Sequence, residues 1–161
     1  MKSIITEEDR RFMEIAIGLS EDNVDNGGGP FGAVIVRRGE IIGTGVNRVV
    51  PDNDPTAHAE IMAIRAACAK LETFRLSGCT IYSSCEPCPM CLSALYWTGI
   101  KRICYGNTKD DTKSIGFDDA SIYDQLKLAP EQRSIEYHRM MRSDALRAFY
   151  KWSSKEDKIK Y

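Results

Sequence analysis

Two short motifs in this chain carry residue types that hold a metal and move protons. His58-Ala59-Glu60 offers a neutral nitrogen donor with a carboxylate two residues on, and Pro87-Cys88-Pro89-Met90-Cys91 offers two thiols three residues apart. One imidazole and two thiolates make three protein ligands. They leave the fourth position of a tetrahedral zinc open, as in catalytic rather than structural sites. Such a zinc lowers the pKa of its water toward neutrality, and a carboxylate beside it can take the proton and pass it on. Residues two apart do not share a helix face, yet at the mouth of a helix both His58 and Glu60 can reach a site beyond its N-terminus.

The cysteine register has to be chosen, because Cys85, Cys88 and Cys91 contain two overlapping Cys-x-x-Cys pairs. Cys85 ends a strand, and Pro87 suits the first turn of a helix, where its missing amide costs nothing. Cys88 and Cys91 then face the same way in that helix, whose N-terminus favours their thiolates. The reading is therefore one Zn2+ per subunit on His58, Cys88 and Cys91, with Glu60 as proton carrier. Cys85 is left as a packed or nearby free thiol, and His138, in a weakly patterned region, as an ordinary histidine.

The elements that position these residues follow from periodicity. Phe12, Ile15, Ala16 and Leu19 form an apolar stripe that predicts a helix over 7–22. Asn26-Gly27-Gly28-Gly29-Pro30 breaks it, and strands are predicted at 31–36 and 41–46 around a turn at 37–40. A polar loop at 51–55 leads to a helix at 57–71, a strand at 79–84, a helix at 88–97 and a strand at 102–106. Strand and helix alternate through this stretch, which predicts an α/β fold with its sheet covered on both faces. Beyond Asn107 the pattern loosens to a polar segment, an edge strand at 134–141 and a helix at about 143–153. The glycines precede a strand rather than link one to a helix, so they are no dinucleotide fingerprint.

A length of 161 residues predicts one domain over 1–161. The formal net charge of −1 gives no electrostatic footprint for nucleic acid or an anionic membrane surface. No apolar run approaches the roughly 20 residues of a membrane span, and residues 1–11 lack the apolar core of a signal peptide. All six cysteines lie in the middle of the chain, three of them clustered as metal ligands are rather than as a disulfide framework. A cytoplasmic protein is expected.

On these motifs the chain resembles the cytidine deaminase superfamily, whose nucleobase deaminases carry His-x-Glu and Pro-Cys-x-x-Cys. Longer stretches resemble its small bacterial guanine deaminases: residues 28–36 (Gly-Gly-Pro-Phe-Gly-Ala-Val-Ile-Val), 53–60 (Asn-Asp-Pro-Thr-Ala-His-Ala-Glu), 84–91, Gly116-Phe117-Asp118-Asp119 and a C-terminal tyrosine. The resemblance implies a three-layer α/β/α fold around a central mixed β-sheet. It implies hydrolytic deamination of guanine to xanthine and ammonia, with zinc on His58, Cys88 and Cys91 and Glu60 as proton shuttle. It further implies that Phe31 stacks on the base, that Asn47 hydrogen-bonds it and that Asp119 contacts the purine edge and assists proton transfer. Trp97 would line the pocket. Tyr161, in a C-terminal segment of about 142–161 exchanged between subunits of a homodimer, would close it. The chain differs from these relatives at Val46 and Arg48, on either side of Asn47.

Two other readings compete. One keeps the chemistry and changes the substrate to tRNA adenosine, cytosine or cytidine. A tRNA editor needs a basic surface, which this chain does not announce. The other is a non-catalytic zinc-stabilised interaction module, for which Cys85 is the candidate fourth ligand and Glu60 has no task.

Overall fold

Thr6 opens the first helix through a reciprocal capping box. Its hydroxyl accepts from the Asp9 amide, and the Asp9 carboxylate accepts from the Thr6 amide. Helix α1 (Glu7–Asp25) runs three residues beyond the expected 7–22 and stops before Gly27, which turns the backbone to positive φ. The computed structural model describes residues 5–160. Strands β1 (Gly32–Arg37) and β2 (Glu40–Val46) form a hairpin, and a short helix α2 (Val49–Asp52) occupies part of the predicted loop. Helix α3 (Ala59–Leu71), strand β3 (Thr80–Cys85), helix α4 (Pro89–Thr98) and strand β4 (Arg102–Asn107) follow, each within two residues of expectation.

The sheet order is β2-β1-β3-β4, with β1 antiparallel to both neighbours and β3 parallel to β4. It is therefore mixed, as the three-layer expectation required. Alternation along β1 sorts the core. Ala33 and Ile35 pack with Ala59, Ala63 and Leu95 of α3 and α4, whereas Val34 and Val36 pack with Phe12 and Ala16 of α1. Helix α3 lies directly on the β2 backbone. A Cβ at Gly45 would stand 2.1 Å from the Ala59 carbonyl oxygen, and one at Gly43 2.6 Å from that of Ala63.

Register then gathers one rim. Gly32 pairs with Val46, Ala33 with Ser83 and Cys85 with Asn107. The start of β1 and the ends of β2, β3 and β4 thus lie along the same edge of the sheet, which is where α4 begins.

After Asn107 the chain is more helical than its pattern suggests, with α5 (Lys109–Ser114), α6 (Ala120–Lys127), a 3-10 turn at Pro130–Gln132 and α7 (Arg142–Ser154). The edge strand expected at 134–141 does not form. Ile135 and Tyr137 alternate as a strand would but stand 73% and 53% exposed, and no ladder partner meets them among the described residues. The chain divides into two compact units, residues 1–120 and 121–161. No described helix is long and apolar enough to cross a membrane.

Asp9 ties α1 to the sheet. It is buried, accepts from both terminal nitrogens of Arg102 at 2.5 and 2.9 Å, and accepts the Tyr82 hydroxyl at 2.6 Å. The Arg102 guanidinium, aided by Tyr82 and Thr6 and opposed by burial, holds the Asp9 carboxyl well below the usual carboxylate range. A depressed folded pKa adds stability above the unfolded value, near 3.9, and loses it as pH falls through the folded value. Asp9→Asn should cost about 2 kcal/mol at pH 7 in urea unfolding, a moderate figure because solvent screens the partly exposed Arg102. The gap to the parent should narrow below about pH 4. An undiminished gap at pH 2 would contradict this account.

Candidate active site

The rim places two helix N-termini side by side. His58 is the N-cap of α3, and Cys88 is the N-cap of α4, with Pro89 rather than Pro87 as the first helical residue. The physical reason for a proline there is unchanged; the helix simply starts later than predicted. Cys88 and Cys91 are therefore N-cap and N3 of one turn rather than two residues inside a helix. His58 Nδ1 lies 3.5 Å from Cys88 Sγ, and one ligand atom from each of His58, Cys88 and Cys91 fits within 4.8 Å of the others. Among the described residues this is the one cluster of its kind. One nitrogen and two sulfur donors in such a space fit a zinc ion.

Cys85 stays out of the cluster. Its Sγ lies 2.8 Å from Thr112 Oγ1 of α5 and 3.8 Å from the Thr108 carbonyl oxygen. Three protein donors thus face the zinc position, which argues against the closed site of a purely structural zinc.

Charge follows from this packing. The Cys91 thiol and then His58 pull Cys88 down to about 4 against the opposing effect of burial. Cys91, hydrogen-bonded to that sulfur and buried, is pushed far up. Cys88 raises the His58 pKa by hydrogen bonding. A metal entering here displaces the remaining thiol proton, so binding is coupled to deprotonation.

Glu60 sits in the first turn of α3, 6% exposed, with Oε2 3.4 Å from Cys91 Sγ and Oε1 3.4 Å from Ser83 Oγ. Desolvation raises its pKa. A buried carboxyl beside the metal ligands can take up a proton and release it to a base a few ångströms away. Ser83 was not foreseen. Its signal was the alternation of β3, which turns Ile81 and Ser83 toward α3 once the register is known.

Asp118 and Asp119 have different tasks. Asp118 accepts from the Ala120 amide at 3.0 Å and pairs with Lys113 at 3.5 Å, a turn on the surface. Asp119 is half-buried, and its pKa is raised by desolvation and then by Cys88. It lies within electrostatic reach of the metal ligands. Phe31 is half-buried against the core under α3, and the Phe117 ring meets it edge-on, 5.2 Å between centroids. Asn47 is buried, donates its amide to the Phe31 carbonyl at 3.1 Å, and accepts from the Val49 amide at 3.3 Å through Oδ1.

Of the residues singled out from sequence, the structure gathers His58, Glu60, Cys88, Cys91 and Asp119 around one position and joins Phe31 to Asn47. Trp97 is 66% exposed in the last turn of α4, six residues beyond Cys91. Tyr161 lies outside the described residues.

Known proteins share this arrangement. Residues 6–107 match the cytidine and deoxycytidylate deaminase zinc-binding region. Guanine deaminase of Bacillus subtilis is 44% identical over 151 residues, covering 93% of this chain and 97% of that one. The crystal structure of guanine deaminase from Bacillus subtilis superimposes with a TM-score of 0.92 at 43% identity, covering 94% and 98% of the two chains. A tRNA-specific adenosine deaminase of Buchnera aphidicola is 40% identical over 109 residues, 68% of this chain and 72% of that one. With the zinc-ligand triad, the buried carboxylate beside it and the mixed sheet that carries them, the chain belongs to the zinc-dependent cytidine and deoxycytidylate deaminase family.

Proposed function

We propose that the protein hydrolyses guanine to xanthine and ammonia, acting as a cytoplasmic homodimer. The observation that carries this reading is the extent of the likeness. Identity to a guanine deaminase runs over 93% of the chain and so continues past Asn107, whereas the match to the tRNA-specific enzyme spans 68%. A net charge of −1 also favours a free base over a polynucleotide. Six unpaired cysteines suit a reducing compartment.

Zinc held by His58, Cys88 and Cys91 would lower the pKa of a coordinated water toward neutrality. The rest of the work falls to the chain. Phe31 stacks on the purine and Asn47 hydrogen-bonds its edge. Glu60 takes the proton released as water adds to C2, the carbon bearing the amino group, and returns it to a ring nitrogen. Glu60 then takes the proton of the added C2 hydroxyl and, assisted by Asp119, delivers it to the amine, so that the C2 carbonyl forms as the C2–N bond breaks and ammonia leaves. The raised pKa of Glu60 suits a group that must alternate between both protonation states. The homodimer is supported by α7, which leaves Phe149 71% and Tyr150 67% exposed, an apolar face that oligomers bury. Exchange of the segment 142–161 would bring Tyr161 over the partner's base pocket.

Three tests follow. Cys85→Ser should keep about one zinc per subunit by metal analysis and Cys88→Ser should lose it; the reverse would overturn the ligand register. Ammonia release from guanine, adenosine, cytosine and cytidine should be greatest for guanine. Glu60→Gln should retain zinc and lose about 10²–10⁴-fold of that turnover, because an amide carries no proton. Near-native turnover by Glu60→Gln would remove the shuttle. Deleting residues 155–161 should cripple turnover with zinc retained, and mixing that variant with Glu60→Gln should restore part of it. Full activity of the shortened protein alone would end the exchange proposal.

A further inference from the structure

Asn23, at the C-terminal end of α1, lies outside every motif singled out from the sequence, yet it is 6% exposed and reaches the rim. Its Nδ2 donates to the Gly29 carbonyl at 2.8 Å and to the Asn47 carbonyl at 2.8 Å, which uses both hydrogens of the amide. The first acceptor lies two residues before Phe31, and the second is Asn47 itself. Asn47 in turn donates its backbone amide to the Phe31 carbonyl, and the Asn23 backbone carbonyl accepts from the Gly28 amide at 2.9 Å. The Asn23 side chain thus joins two other stretches of chain.

The glycines confirm how tightly. A Cβ at Gly28 would stand 2.2 Å from Asn23 Nδ2 and 2.6 Å from the Asn47 carbonyl oxygen, and one at Gly29 would stand 3.1 Å from the Asn47 carboxamide. Asn47 Oδ1 accepts from the Val49 amide, which orients the carboxamide. The clasp fixes the backbone from which that side chain projects.

We propose that Asn23 is a positioning residue for base recognition: it locks the loop carrying Phe31 to the end of β2 carrying Asn47, and so sets the distance between stacking ring and edge-reading amide. The inference rests on the reading that Phe31 and Asn47 hold the purine. Removing the amide takes the donor from the buried Asn47 carbonyl and leaves the Gly29 carbonyl only the Phe31 amide, which loosens one element from the other, whereas the metal ligands and Glu60 hang on α3 and α4 and are untouched. Binding should suffer and chemistry should not.

The test is a double-mutant cycle on the zinc-loaded enzyme with guanine as substrate, well below the melting temperature of each variant. Asn23→Ala should raise KM about tenfold or more while kcat and zinc content stay within about twofold. Asn23→Asp, of the same shape but without donors, should do the same. In an Asn47→Ala background, Asn23→Ala should add little, because the group it positions is gone. If Asn23→Ala does not accumulate as folded protein, Gly28→Ala carries the test by pressing a methyl into the same amide, and an unchanged KM there overturns the proposal. A lowered melting temperature with unchanged KM makes Asn23 structural only and also overturns it. If Asn47→Ala itself leaves KM unchanged, the base-binding reading fails instead.

Discussion

The site depends on how closely α3 can approach β2. A side chain at Gly45 would collide with the Ala59 carbonyl oxygen at 2.1 Å and with the Ala63 amide at 2.4 Å, and the helix answers with a seam of fully buried alanines at 59, 63 and 67. Backbone rests almost on backbone. Any larger residue on either side would lift the helix, and the first turn of α3 carries both His58 and Glu60. A displacement of an ångström there would open the 3.4 Å contact of Glu60 with Cys91 and spread the three metal donors beyond a shared coordination sphere. Small residues in this seam give up hydrophobic burial in exchange for proximity, and α3 remains anchored because the rest of its face packs through Ile64, Cys68 and Leu71.

Proximity brings an electrostatic consequence. Two helices aim their N-termini at one point, and the partial positive charge of each favours anions there. This suits a pair of sulfurs that must both become thiolates. Cys88, at the N-cap, ionises readily, while Cys91, one turn in and hydrogen-bonded to it, resists. Two thiolates and a neutral imidazole would neutralise a dipositive ion, so the set stays formally uncharged, and Glu60 can remain buried beside it without facing a large net charge. The same burial that raises the Glu60 pKa keeps bulk water from competing for its proton. Position, charge and proton affinity thus share one cause.

The sequence made the metal triad legible because its spacing is local: Cys88 and Cys91 belong to one helical turn, and His58 is one of only two histidines. Sheet and helix order were legible from periodicity. What escaped was long-range. Ser83 and Asn23 join the site only through pairing registers and a helix end that no window of neighbouring residues encodes. Pro87 and Pro89 are two equally good helix starters, and Pro87 was chosen where Pro89 is used. The strand expected at 134–141 illustrates the opposite error. Ile135 and Tyr137 supply the alternation of a strand, but alternation describes a face, and without a neighbouring ladder in the described residues it creates no strand.

The metal donors and the buried carboxylate all lie in the part of the chain shared across the family. The zinc-binding region shared across the family ends at Asn107, and within it lie the three metal donors, Glu60 and the helix geometry that tunes them. A tRNA-specific relative shares 40% identity over 109 residues, so this machinery by itself does not choose a substrate. In the proposed reading, choice comes from residues that surround the metal donors and Glu60, inside the shared region and beyond it. On one side is the Gly-Gly-Pro-Phe loop with Asn47, and on the other the segment after β4, which folds as α5 through its own capping box at Thr108 and is tethered to the rim by Thr112 against Cys85. That tether gives Cys85 a use outside the metal cluster. It fixes the helix leading to Phe117, whose ring meets Phe31, and to Asp119, whose carboxyl senses Cys88. A thiol at the end of β3, three residues before the first cysteine ligand, thus serves the proposed base pocket rather than the metal, and the spare Cys-x-x-Cys pair in the sequence is the trace of these two adjoining tasks.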